Sequence, residues 1–273
     1  MYETYFGMTH TPFTRDIPAE SLYESPAMHE ALGRLSYAAD RQLFAVVTAD
    51  AGCGKSTLIR KFAADLPKGP YILLYLSDSK LTPRWFYKGL LDQLGIESRF
   101  YRGDAKRQLQ KEIELLRGLR GQKVVCVLDE AHLLEKETIE EFRFLLNYRF
   151  DSMSPMALIL VGQSELWDEK LRLRRYAAVR QRIDINCVLP HLSRSETEKY
   201  IRSHLQYAGC EQDLFTSMAV DEIYKLSSGI PRMINRICEK ALMYACQQQY
   251  RLVDDHVIAF VAEHEMLGGG EVA

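Results

Sequence analysis

A chain of 273 residues, 47% hydrophobic and 26% charged, carries enough apolar material for a full core and is long enough for one large domain plus a smaller one. Its formal net charge of -2 excludes binding by bulk positive charge, so any nucleic-acid face has to be local. Six scattered cysteines (Cys53, Cys126, Cys187, Cys210, Cys238 and Cys246) without a CxxC pair read as reduced packing thiols. The start MYETYFGMTHTPF lacks a signal-peptide layout and no apolar run approaches the ~20 residues that cross a bilayer, so a cytoplasmic protein without membrane contact is expected.

Residues 1–42 form an N-terminal segment in which Leu22-Tyr23-Glu24-Ser25 precedes a helix. Apolar, β-rich runs then alternate with helical patterns: strands are predicted at 43–48, 71–76, 123–128, 157–161 and 183–189. Helices are predicted at 55–66, 83–94, 105–119, 137–147 and 165–178, the third with Leu109, Ile113 and Leu116 on one face. Strands this apolar are buried on both faces, which implies an α/β domain with a parallel five-stranded sheet between helices, over 43–191. From Leu192 the pattern is helical only (194–208, 215–227, 231–248 and 253–263), giving a small all-helical domain over 192–267. A glycine-rich tail, 268–273, is expected to fray.

Ala49-Asp50-Ala51-Gly52-Cys53-Gly54-Lys55-Ser56-Thr57 lies between the first strand and its helix and matches GxxxxGK[ST], with Ala49 in place of the first glycine. Gly52 and Gly54 allow backbone N–H groups to turn around phosphates, and the helix N-terminus adds positive potential. Lys55 is placed to reach the β- and γ-phosphates of ATP, and Ser56 to ligate Mg²⁺. The third strand ends in Leu128-Asp129-Glu130, where Asp129 would hold the metal and Glu130 would orient or activate the attacking water. Asp129-Glu130-Ala131-His132 spells DEAH, but a helicase of that kind needs two such α/β domains and this chain has room for one. His132 is taken as a structural loop residue. Gln163, just past strand four, is placed to bridge the γ-phosphate and the water, the position called sensor 1, or else to be a turn residue.

Gly229-Ile230-Pro231-Arg232 opens a helix of the C-terminal domain and resembles the sensor 2 motif of AAA+ ATPases. The resemblance implies a P-loop NTPase sheet followed by a helical lid, with Arg232 folding onto the γ-phosphate. It also implies an arginine finger reaching a neighbour's site. Arg182 fits that station best and Arg180 second, against the alternative that Arg174, Arg175, Arg180 and Arg182 form a plain basic run. A finger makes the active unit an oligomer, ring or filament.

Tyr5-Phe6-Gly7, Pro12-Phe13 and Leu22-Tyr23-Glu24-Ser25 are similar to the opening of the ExeA-type group, which includes secretion-pathway ATPases and transposon-encoded regulators of the TniB/TnsC kind. That resemblance implies that Pro12, Phe13 and Tyr23 pack near the adenine, with a core role as the alternative. The stretches 77–84 and 100–107 look like the transposon branch, and the stop after the lid agrees, because secretion members carry further segments. Members of that branch assemble on double-stranded DNA with ATP and direct a transposase. Residues 80–111 hold eight Lys/Arg against three acids, with Trp85, Phe100 and Tyr101 among them. Lys80, Arg84, Lys88, Arg102, Lys106, Arg107 and Lys111 are therefore candidates for phosphate contact, or else a solvated helix face. The alternatives are an assembly ATPase serving a protein partner without DNA, as in secretion, and a nucleotide switch with negligible hydrolysis.

Overall fold

The computed structural model describes residues 2–78, 81–146 and 154–266. Lys80, among the predicted phosphate contacts, and the tail 268–273 lie outside the described residues.

Five strands form one sheet: β1 (Phe44–Thr48), β2 (Tyr71–Leu76), β3 (Lys123–Leu128), β4 (Ala157–Gly162) and β5 (Ile185–Val188), in the order β2-β3-β4-β1-β5. Every pairing is parallel, with Val46 of β1 opposite Leu160 of β4 and Asn186 of β5. Each strand within β1 and β4 is buried at every position, which is why their sequences run apolar without alternation. The register aligns the strand ends: Thr48 lies opposite Gly162, and Leu76 opposite Leu128. The loops that carry Lys55, Asp129 and Gln163 therefore leave the sheet along one carboxyl edge, where open parallel sheets bind ligands.

The chain divides into two compact units. One comprises 27–51 and 55–189. Besides the sheet it holds α2 (Pro26–Arg41), α3 (Lys55–Asp65), α4 (Pro83–Gln93), α5 (Arg102–Arg120) and α6 (Lys136–Leu146). Its core joins Phe44, Val46, Leu74, Phe86, Leu90, Leu109 and Phe142. The other comprises 1–26, 52–54 and 190–273, and is helical: α1 (Tyr2–Tyr5), α8 (Arg194–Tyr207), α9 (Ser217–Ser227), α10 (Pro231–Gln247) and α11 (Asp255–Val261). Its helices start where their sequences supply caps: a Ser193–Glu196 capping box, Thr216, Pro231 in the first turn and Asp254. The stretch grouped in sequence as 1–42 is thus divided at Pro26. Tyr2, Met8 and Phe13 join the helical core, while the α2 residues Leu32 and Leu35 are buried in the sheet's unit.

One predicted element is corrected. In place of a helix over 165–178 the chain makes a wide π-type turn (Leu166–Leu171), a 3-10 turn (Arg174–Tyr176) and the short α7 (Ala177–Arg180). The buried positions Leu166, Leu171 and Tyr176 recur every five residues, a spacing that an α-helix spreads around its circumference and a wider turn brings to one side. Leu173 at ψ 143° is extended and ends the helical path.

Candidate nucleotide site

The 49–57 loop has the backbone its glycines were expected to give. Gly52 and Gly54 stand at φ +87° and +88°, in the left-handed region that turns successive N–H groups toward one concavity. Lys55 opens α3 and is buried, its ammonium donating to the carbonyls of Ala49 at 2.8 Å and Asp50 at 2.9 Å. A cation held by its own loop is fixed where a polyphosphate would lie. Ser56 and Ala51 are exposed, Thr57 is half-buried and Cys53 is buried. The carboxylate of Asp50 accepts from the hydroxyl of Ser164 at 2.7 Å, which ties this loop to the one that follows β4.

Asp129 is buried at the end of β3, and both of its oxygens are engaged. One accepts from the Glu130 backbone N–H and the other from the Tyr75 hydroxyl, each at 2.8 Å. Tyr75 comes from β2, in register with Val127, and was not singled out by sequence; its place at the end of a run that faces the acid's strand was the available signal. Burial, and then the bond to Asp129, pushes the Tyr75 phenol above its ordinary pKa, so it remains a donor. Glu130 takes φ +53°, ψ +31°, a left-handed conformation that costs a non-glycine residue on the order of 1 kcal/mol and turns its half-exposed carboxylate away from the strand direction. Gln163 follows β4, and its backbone N–H and side-chain amide both meet His132. A serine hydroxyl and a buried carboxylate are hard oxygen donors of the kind Mg²⁺ takes, and a glycine loop with a fixed lysine suits a triphosphate, so the residues present fit ATP with Mg²⁺. Bound Mg²⁺ supplies charge neutralisation at the phosphates.

In the helical unit Arg232 is exposed in the first turn of α10, and its backbone N–H donates to the Gly52 carbonyl at 3.3 Å. Phe13 is 4% exposed, stacks on His204 at 5.1 Å between ring centroids and meets Phe215 edge-on, so its ring is core. Tyr23 packs edge-on against Tyr200, and Pro12 is buried beside Phe13 in sequence. Among the arginines, Arg180 donates to the carbonyls of Leu171 and Arg172, and half-buried Arg182 donates to that of Ala178. Arg174 and Arg175 are exposed.

The predicted phosphate contacts separate into two groups. Lys106 and Arg102 are drawn to the buried carboxylate of Glu141, at 2.8 and 3.6 Å, and Arg107 pairs with Asp104 at 2.6 Å. Arg84, by contrast, lies over the Phe100 ring at 4.2 Å and Lys88 over Trp85 at 4.7 Å. These two cations stand among Trp85, Phe100 and Tyr101, which are 51, 67 and 71% exposed, and Lys111 is exposed further along α5.

Among the described residues no cluster of three His, Cys, Asp or Glu could hold a metal, and no helix is long and apolar enough to cross a membrane. None of the six cysteines forms a disulfide; burial alone raises the Cys126 and Cys238 thiols above their ordinary range, as expected of packing residues.

Comparison with known proteins agrees with this geometry. A family model described as an AAA domain matches residues 38–169. General secretion pathway protein A of Aeromonas hydrophila is 34% identical over 250 residues, covering 90% of this chain and 45% of that protein, so the chain spans about half the length of this curated relative. Cdc6p from Pyrobaculum aerophilum superposes with a TM-score of 0.66 at 15% identity, over 88% of this chain and 67% of its own. A Drosophila ORC structure bound to DNA gives 0.64 at 16% identity, over 98% and 65%. At such identities these two likenesses are of fold. The sheet order, the glycine-lysine loop and the AAA domain match over 38–169 together show a P-loop fold of the AAA+ type, with site residues that fit ATP and Mg²⁺.

Proposed function

We propose that the protein is an ATP-dependent, sequence-nonspecific DNA-binding ATPase of the ExeA-type group, which oligomerises on double-stranded target DNA and recruits or regulates a transposase in the manner of TniB/TnsC-like regulators. In this reading Lys55 and the N–H groups of 50–57 hold the phosphates, Ser56 and Asp129 hold Mg²⁺, Glu130 orients the attacking water and Gln163 contacts the γ-phosphate. Arg232 reports nucleotide state to the lid, and an arginine from a neighbouring subunit completes the site. Pro12 and Tyr23 remain the candidates beside the adenine; Phe13 supports them from the core.

The observation that carries the DNA reading is the exposed cluster of Arg84, Lys88, Trp85, Phe100 and Tyr101. A surface of cations stacked on solvent-facing rings suits a polyanion, because phosphate contact releases counterions and the rings shield apolar area. The Drosophila fold neighbour is itself bound to DNA. Fluorescence anisotropy with a random duplex tests the reading. Binding should require ATP or an uncleavable analogue and fall steeply with salt, and replacing Arg84 and Lys88 by Ala should weaken it about tenfold and lower the salt slope by about two. Binding indifferent to nucleotide, or none at low salt, overturns it.

The similarity to General secretion pathway protein A favours a second reading, an assembly ATPase acting on a protein partner without DNA. It requires that duplex DNA leave ATP turnover unchanged.

A further inference from the structure

We infer that His132 is a positioning residue for ATP hydrolysis, holding Glu130 and Gln163 in one arrangement through the two nitrogens of its ring. The inference rests on the reading of Glu130 and Gln163 given above, and it replaces the expectation of a merely structural loop residue.

His132 is only 5% exposed at its side chain, so its nitrogens need partners inside the protein. Its Nδ1 faces the backbone N–H of Gln163 at 3.3 Å and accepts from it. A neutral imidazole that accepts at Nδ1 carries its proton on Nε2. Nε2 lies 3.6 Å from Oε2 of Glu130 and 3.1 Å from the Gln163 side-chain amide. An amide nitrogen cannot accept this proton. With the amide turned so that its oxygen faces the ring, Gln163 accepts from Nε2–H, Glu130 lies within electrostatic reach of the same N–H but beyond hydrogen-bond distance, and the Gln163 NH₂ is left for another acceptor. Two side chains from the ends of different strands, β3 and β4, are thereby referred to a single buried ring.

The ring itself is held from several sides. His132 lies in a single turn, Ala131–Leu133, and its carbonyl and that of Leu134, just after the turn, both accept from the Lys170 ammonium. Partial burial lowers the Lys170 pKa. Gly162, at the end of β4, leaves room for this approach: a Cβ there would come within 3.0 Å of the His132 backbone nitrogen. The left-handed backbone of Glu130 needs such an external reference, because the conformation is not favoured by the residue itself.

Steady-state ATPase kinetics and analogue affinity on the full chain, under conditions of measurable wild-type turnover, test this with His132→Asn, His132→Gln and Glu130→Gln. Asn keeps an acceptor for the Gln163 N–H but lacks the reach of Nε2, so kcat should fall about 10- to 100-fold with KM and analogue affinity within about twofold. Gln carries a donor to the Nε2 position and should restore most of the loss. Added to Glu130→Gln, His132→Asn should cause a smaller loss than it causes in the wild type, because only its hold on Gln163 remains to be lost. The inference is overturned if His132→Asn keeps kcat within twofold, if kcat and nucleotide affinity fall together, or if Gln rescues no better than Asn. If Glu130→Gln itself turns over like wild type, the assignment of Glu130 falls, and the inference with it.

Discussion

Burial holds the His204 imidazole at a pKa of about 4, where its Nδ1 accepts from the Phe13 backbone N–H at 3.1 Å. An unfolded histidine takes up its proton near 6.5, so between about 6.5 and about 4 the unfolded chain binds a proton that the folded chain does not. The folded state therefore loses stability as pH falls through that window, and is insensitive to this group above it. Urea unfolding of the helical domain, followed by circular dichroism, should show about 2 kcal/mol less stability at pH 5 than at pH 7.5 from this residue. His204→Gln should flatten that dependence while lowering stability at neutral pH. Phe13, whose ring stacks on the same imidazole, explains how an aromatic that the sequence brings toward the nucleotide can be taken up by packing instead. Sequence shows a ring's chemistry, and only the fold shows which of its faces are already covered.

The helices α4, α5 and α6 meet at the carboxylate of Glu141, which accepts from the Tyr87 hydroxyl at 2.6 Å and the Lys106 ammonium at 2.8 Å. Burial opposes its charge, but these hydrogen bonds and the Lys106 charge outweigh burial and hold the carboxyl below its usual pKa. Lys106→Met should accordingly destabilise the sheet domain by about 2 kcal/mol in thermal or urea unfolding, and should change DNA affinity far less than Arg84→Ala does. Spacing alone grouped Lys106 with Arg84 because both sit in the same basic stretch; the acid that separates them is more than thirty residues away in the chain. Within the helical unit, Gly229 stands at φ +74°, and a Cβ there would lie 1.9 Å from the Leu192 carbonyl oxygen. Gly229→Ala should cost at least ~2 kcal/mol of helical-domain stability in the same unfolding assay, which assigns the glycine of GxPR to backbone packing.

At the scale of the whole molecule, an oligomeric site predicts complementation between subunits. In the proposed function, Glu130→Gln lacks the acid that orients water in its own site, and a finger variant lacks only what it lends to its neighbour. Mixing the two inactive proteins should restore measurable ATP turnover. Arg182→Ala is the finger variant that family spacing favours, and Arg174→Ala the one that exposure favours, since Arg182 already donates to the Ala178 carbonyl. The variant that complements is the finger, and complementation by neither removes Arg174 and Arg182 as the trans arginine.

The sequence by itself determined the alternation of buried strands with helices, the phosphate loop with Lys55 and the acid pair ending β3, because each depends on local pattern within a few residues. It missed the broken path over 166–180, where the buried positions follow a spacing of five that no local propensity favours. The tertiary structure alone decided which polar groups meet within the protein. Lys106 pairs with Glu141, Asp129 accepts from Tyr75, and Glu130 and Gln163 meet at His132. The first pairing arises where α5 meets α6, and the others where parallel register brings strand ends together, which the packing of the whole sheet sets.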